Sequence, residues 1–159
     1  FESYLLIRFK PIRNLSCYKG DLHVKQINKE VEIKQIENAN FEELSQIGEI
    51  IPSWQNTKAT ITNLGANALC FLAYMEKELC GYIVLNKSNN RILQLAVKNE
   101  MRNKHIGSTL LQHVKNNISA SVSIINVDSN FNSILNFLES NNLKKTITQE
   151  EMKLKIANA

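Results

Sequence analysis

The sequence predicts an α+β domain, and three observations carry that expectation. Three strand-like apolar segments, Ala68 to Tyr74, Leu79 to Leu85 and Arg91 to Lys98, follow one another across the short turns Glu76–Lys77 and Ser88–Asn90. Short polar turns between such runs make an antiparallel meander. Directly afterwards Ile106, Leu110, Leu111 and Val114 recur at helical spacing. Finally, helices alternate with strands only in the second half, which suits a mixed sheet carrying helices on its faces.

The remaining elements follow in chain order. Val31 to Glu37 alternates as a strand. Asn40 offers an N-cap with Glu43 three residues on, and Phe41, Leu44 and Ile47 share a helical face until Pro52 stops the helix. A second helix is expected from about Trp54 to Asn63, ending near Gly65. After the helix that begins at Ile106, Val122 to Val127 is an apolar strand. Phe131, Ile134, Leu135 and Leu138 form a helical stripe, and Leu143 to Ile156 alternates again as strand. The order is β α α β β β α β α β.

Residues 1–28 are read as a separate N-terminal segment and 29–159 as the domain. Tyr4 to Phe9 resembles Leu138 to Leu143 in pattern, and Phe9 to Lys19 has the spacing of Leu143 to Lys153. Two readings stay open. The segment is the tail of a preceding, similarly folded domain, or it is a strand of this one.

Composition narrows the function classes. Of 159 residues 43% are hydrophobic and 21% charged, normal for a folded soluble protein. The longest apolar run, Ala68 to Met75, is far too short for a membrane span, and no signal-peptide pattern is present. A cytoplasmic protein with no membrane partner is expected. A net charge of +4 spread over scattered lysines argues against nucleic acid, although it suits a phosphate-bearing ligand. Cys17, Cys70 and Cys80 lack CxxC spacing and nearby paired histidines, so no metal is expected and the thiols read as small buried hydrophobes.

The stretch that carries chemistry runs from Gln94 through Val97 and Lys98 to Arg102-Asn103-Lys104-His105-Ile106-Gly107-Ser108, and then into the apolar helix. A turn entering a helix presents unpaired backbone N–H groups at the positive end of the helix dipole, where a pyrophosphate fits. Arg102 and Lys104 add charge, and Gly107 removes a side chain where close approach is needed.

This stretch resembles the signature of the GNAT superfamily of acyl-coenzyme A-dependent N-acyltransferases, V-x-P-x-x-R-G-x-G-I-G followed by an apolar helix. The chain reads Val97-Lys98-Asn99-Glu100-Met101-Arg102-Asn103-Lys104-His105-Ile106-Gly107. Asn103 and His105 replace two glycines of that pattern. The resemblance implies a three-layer fold with a central, mostly antiparallel mixed sheet whose strands splay at the coenzyme A site. It implies acetyl-coenzyme A as co-substrate. The backbone of Leu95, Ala96 and Val97 would pair with the pantetheine arm, with an N–H near Ala96 or Val97 polarising the thioester carbonyl. The amides from Asn103 to Ser108 would hold the pyrophosphate.

A second family block, N-x-x-A-x-x-x-Y-x-x-x-G-F, is matched in degraded form by Asn130 to Leu143. Asn130 and Asn132 flank the asparagine position, Leu138 takes that of the tyrosine and Asn142-Leu143 that of Gly-Phe. Leucine cannot serve as the general acid that the tyrosine often supplies, and Gln94 cannot act as a base. Glu78, Glu100, His105 and His113 remain candidates for the base, and no catalytic residue is assigned. Trp54, beside Gln55 and Asn56, either packs in the core or lines an acceptor pocket; Tyr74 and Tyr82 are open to the same two readings. The resemblance thus implies an N-acetyltransferase acting on a small-molecule or peptide amine. The alternative is a catalytically silent coenzyme A-binding or dimerisation domain, and a homodimer is kept open.

Overall fold

A computed structural model describes residues 8–37, 40–48 and 52–155. Tyr4 to Ile7, the end of the first expected helix (49–51) and the side chain of Trp54 lie outside the described set. The described chain runs β1 (Lys10–Gly20), β2 (Glu32–Ile36), α1 (Phe41–Leu44), a 3-10 turn (Trp54–Asn56), α2 (Lys58–Leu64), β3 (Ala68–Met75), β4 (Glu78–Asn86) and β5 (Arg91–Val97). A 3-10 turn (Asn99–Met101) then leads into α3 (Ile106–Asn117), β6 (Val122–Asp128), α4 (Asn132–Ser140) and β7 (Lys144–Lys153).

The described strands form one seven-stranded sheet in the order β2-β3-β4-β5-β6-β1-β7. Neighbours are antiparallel except β5 and β6, which are joined through α3 by a crossover and run parallel. The expected α+β class and mixed sheet are therefore present. β1 lies between β6 and β7, so the segments Phe9–Lys19 and Leu143–Lys153, alike in pattern, are sheet neighbours, with Asn14 opposite Glu150 and Cys17 opposite Ile147.

Local chemistry explains the helix ends. Asn40 caps α1 by accepting from the Glu42 N–H at 3.2 Å. The helix expected across 54–63 is divided at Thr57, whose backbone is extended (φ −73°, ψ 162°) and whose Oγ1 accepts from the Thr60 N–H to start α2. Gly65, at φ +52°, ends α2. The split leaves the 54–56 turn free to reach the sheet.

Each face of the sheet is covered. On one, Tyr18, Phe71, Ile83, Leu85 and Ile92 pack with Ile106, Leu110, Leu111 and Val114 of α3 and Leu138 of α4. On the other, Leu72, Tyr82, Val84, Leu93 and Ala96 pack with Leu44, Ile47 and Ile61 around α1 and α2. Strands buried on both faces read as continuous apolar runs, as β3 and β4 do. Burying each Leu, Ile or Phe contributes about 1.5–3 kcal/mol.

Candidate functional site

The sheet opens between β5 and β6. Their parallel pairing consists of Arg91 with Ser123 and Ile92 with Ile124. Beyond this pair each strand carries a bulge. Against β4, the register jumps from Leu85–Ile92 to Val84–Gln94, which makes Leu93 an extra residue. Against β1, Ile125 and Asn126 stand in the interval where β1 has only Cys17, and Asn126 adopts φ +59°. A bulge bends its strand and sharpens the local twist. Two bulges starting at the residue after the last shared pair make β5 and β6 diverge.

The 54–56 turn and its flank lace this opening from the α1/α2 face. Asn126 Nδ2 donates to Ser53 Oγ at 3.3 Å and to Gln55 Oε1. Asn56 Nδ2 donates to the Ile125 carbonyl at 3.2 Å, and Gln94 Nε2 donates to the Asn56 carbonyl at 2.7 Å. The Tyr82 hydroxyl completes the chain by donating to Gln94 Oε1 at 3.0 Å. Burial pushes the Tyr82 phenol up to about 12, so it stays a neutral donor. Gln94 is thus a strut between β4, β5 and the turn. Tyr82 belongs to this buried network, whereas Tyr74 lies further out, with Lys34 Nζ 4.9 Å from its ring centre.

The edge of β5 that faces the opening can be assigned. Lys98 N–H bonds the Cys80 carbonyl on β4 at 2.9 Å. Main-chain groups alternate sides along a strand, so Ala96 also turns toward β4. Leu95 and Val97 turn theirs toward the gap. Of the two amides expected near the thioester, Val97 rather than Ala96 is on the open side.

At the end of β5 the chain makes the turn that the sequence singles out. Met101 N–H bonds Lys98 O and Arg102 N–H bonds Asn99 O. Asn103 and His105 then adopt φ +61° and +57°. The two positions where glycine is replaced keep glycine-type backbone, occupied by two of the residue types that tolerate it best. The first described main-chain bond of α3 runs from Thr109 N–H to the His105 carbonyl at 2.9 Å, so the amides of Ile106, Gly107 and Ser108 precede the ladder. Arg102, Asn103, Lys104 and His105 are exposed, and Ile106 anchors the turn in the core.

Three details were not visible in the sequence. Asn28 braces the turn: its Nδ2 donates to the Lys104 carbonyl at 3.0 Å and its N–H to Thr109 Oγ1 at 2.9 Å. No motif marks this residue. Gly107 has a task in the packing besides the expected approach to a ligand. A Cβ there would lie 3.0 Å from Cζ of Phe137, so the glycine admits the ring of α4 against α3. Lys98, for its part, is paired with Glu78 at 2.6 Å.

On the β6 side Asn130 and Asn132 are exposed where the chain passes from β6 to α4, and the Asn130 N–H bonds Asp128 Oδ1 at 2.9 Å. Leu138 is fully buried. Asn142, at φ +70°, and buried Leu143 stand at the two positions set against Gly-Phe of the second block. The C-terminal ends of parallel β5 and β6 and the N-terminal ends of α3 and α4 thus meet at one rim, the usual place for a ligand in such a sheet.

Two of the candidate bases have structural engagements. The hydrogen bond from Lys98 holds the Glu78 carboxyl below its ordinary range, with the lysine's charge adding to it. His113 packs edge-on against Phe71, with ring centres 4.6 Å apart, and burial lowers its pKa. Glu100 is exposed beside the turn.

Comparison with known proteins agrees with this geometry. The acetyltransferase (GNAT) domain family matches residues 35–134, and the chain belongs to that family. A GCN5-related N-acetyltransferase from Sphaerobacter thermophilus superposes with a TM-score of 0.65 at 13% identity, covering 94% of this chain and 53% of that one. One from Kribbella flavida gives 0.62 at 11% identity, covering 94% and 62%. An aminoglycoside acetyltransferase from an uncultured soil metagenomic sample, solved in complex with trehalose, gives 0.55 at 19% identity, covering 82% of this chain and all of that one. At such identities the likeness is one of fold. The chain spans about 53–64% of the first four structures it matches. A search of curated proteins gives no match.

Proposed function

We propose that this chain transfers an acetyl group from acetyl-coenzyme A to an amine, and that the opening between β5 and β6 receives the pantetheine arm. The observation that carries this reading is the parting of the two strands beyond Ile92 and Ile124, directly beside the positive-φ turn at the head of α3. The free edge at Leu95 and Val97 offers main-chain groups to an extended amide-bearing arm, as an added strand would. The amides of Asn103 to Ser108, with Arg102 and Lys104, hold the pyrophosphate. Asn130 and Asn132 close the rim from the β6 side.

Acetyl-coenzyme A supplies the activated thioester when bound. Val97 N–H donates toward the thioester oxygen as negative charge develops there. The neutral amine attacks the carbonyl carbon, a C–N bond forms and the C–S bond breaks. The proton leaving nitrogen is matched by the one gained by the coenzyme A sulfur. The chain contributes orientation and a dry site.

A second reading has its own supporting observation: Leu138 is fully buried where a general acid is usual, and both ends of the Gln94 amide are already bonded. On that reading the domain binds coenzyme A and does not turn over. Calorimetric titration with acetyl-coenzyme A followed by an amine panel separates the two. Binding with acetylation supports the transferase; binding without it supports the silent domain. Absence of binding into the millimolar range overturns both.

A further inference from the structure

The laced opening holds one polar atom that the fold leaves unused. Asn56 is 4% exposed, and its Oδ1 has no hydrogen-bond partner among the described residues. The orientation of the amide is fixed, because the Ile125 carbonyl can only accept and therefore takes Nδ2. The residue stands between the diverging strands, tied to β6 through that bond and to β5 through the bond from Gln94 to its own carbonyl. A buried amide oxygen left unpaired is costly. Its position beside the gap points to a donor that arrives with the ligand.

Chemistry and geometry select the donor. The thioester and the pyrophosphate offer acceptors only; N–H comes from the amine or from the amides of the pantetheine arm, and the arm already has the free edge of β5 as its partner. Asn56 reaches the sheet from the face packed by α1 and α2, in company with Tyr82, Gln94 and Ala96. The turn assigned to the pyrophosphate heads α3, which packs on the other face. A nucleophile reaching the gap from the side opposite the coenzyme A nucleotide approaches on the face that holds Asn56. Resting on the transferase reading, we propose that Asn56 Oδ1 accepts an N–H of the acceptor amine and so points the nitrogen lone pair at the thioester. Asn56 takes no proton; it binds and positions the amine.

The test follows the Asn56 side-chain amide by NMR in protein saturated with coenzyme A, with propylamine as probe and 1-butanol as the shape-matched control. The expected result is a saturable shift at Asn56 with propylamine and none with butanol. In Asn56→Leu, propylamine followed at the Ala96 main-chain amide should bind about 10–100-fold more weakly. The wild-type titration decides the matter should that variant fail to fold. A shift produced by coenzyme A alone, not extended by propylamine, assigns the oxygen to a pantetheine amide and overturns the proposal. So does an Asn56 amide insensitive to either ligand, the signature of a buried structural water. If coenzyme A itself fails to bind, the transferase reading falls and takes this proposal with it; intact coenzyme A binding with an amine-blind Asn56 overturns this proposal alone.

Discussion

His105 and Asn103 show how a side chain can sit where the backbone asks for glycine. Left-handed backbone costs an ordinary L-residue roughly 1–2 kcal/mol, less for Asn and His than for β-branched types. Their φ values of +57° and +61° are ones that glycine, the residue they replace in the motif they resemble, adopts freely. His105→Gly is therefore expected to raise stability by about 0.5–1 kcal/mol, and His105→Val to lower it by about 1–2 kcal/mol. Chemical denaturation reads both, and a His105→Val protein as stable as wild type would show that the turn relaxes instead. His113 carries a pH dependence. Burial sets its pKa below the ordinary 6.5, so between the two values the unfolded chain binds more protons than the folded one. The contribution of the neutral ring is intact above about pH 6.5 and is lost as pH falls through the folded-state value. Urea midpoints from pH 8 to pH 5 should fall less steeply for His113→Gln than for wild type. An equal slope would show that the ring plays no part. At this scale the sequence revealed the turn and its charges. It gave Gln94 only as an amide unable to act as a base and not as a strut, because the partner of its amide lies 38 residues away at Asn56.

Helices and strands were legible wherever one periodicity held. The meander and the α3 stripe emerge within a residue or two, because both faces of β3 and β4 are buried and the turns between them are polar. The bulges escaped notice, since nothing in Leu93-Gln94 or Ile125-Asn126 departs from an ordinary strand until the partner strand is known. Yet these two bulges make the opening. The packing of α3 against α4 was hidden for a similar reason. Gly107 sits in a helix, where glycine costs about 1 kcal/mol relative to alanine, and the need for it appears only when the Phe137 ring is seen 3.0 Å from the missing Cβ. Gly107→Leu should lower stability by about 1–3 kcal/mol through overpacking. Adding Phe137→Ala should recover part of that loss, so that the two changes are not additive. Strict additivity in the double-mutant cycle would show that the contact is not what constrains this position.

At the scale of the whole molecule the decisive feature is β1, the strand that sequence patterns left without a place. Its outer residues, from Lys10 to Asn14, are mostly exposed, and Leu15, Ser16, Cys17 and Tyr18 are all buried, so neither an alternation nor a helical stripe emerges. In the sheet it joins β6 to β7, and among the described residues β7 has β1 as its sheet neighbour. Arg13 extends the tie by pairing with Asp128 of β6 and Glu151 of β7. The Ser16 and Ser129 hydroxyls, 2.8 Å apart, add another link to the end of β6. Taking β1 away would leave β7 with unpaired backbone, expose one flank of the strand that bounds the opening, and remove Tyr18 from the core it shares with Leu138 and Leu143. Losing one large core aromatic costs about 3–5 kcal/mol, a large share of the 5–15 kcal/mol that holds a domain together. A chain starting at Asp21 is thus expected to show no cooperative thermal transition, whereas one starting at Arg8 should melt in a single step. A single sharp transition near the parent melting temperature in the shorter chain would mean that β1 is an accessory strand, and that the opening between β5 and β6 is held by the 54–56 turn and the meander alone.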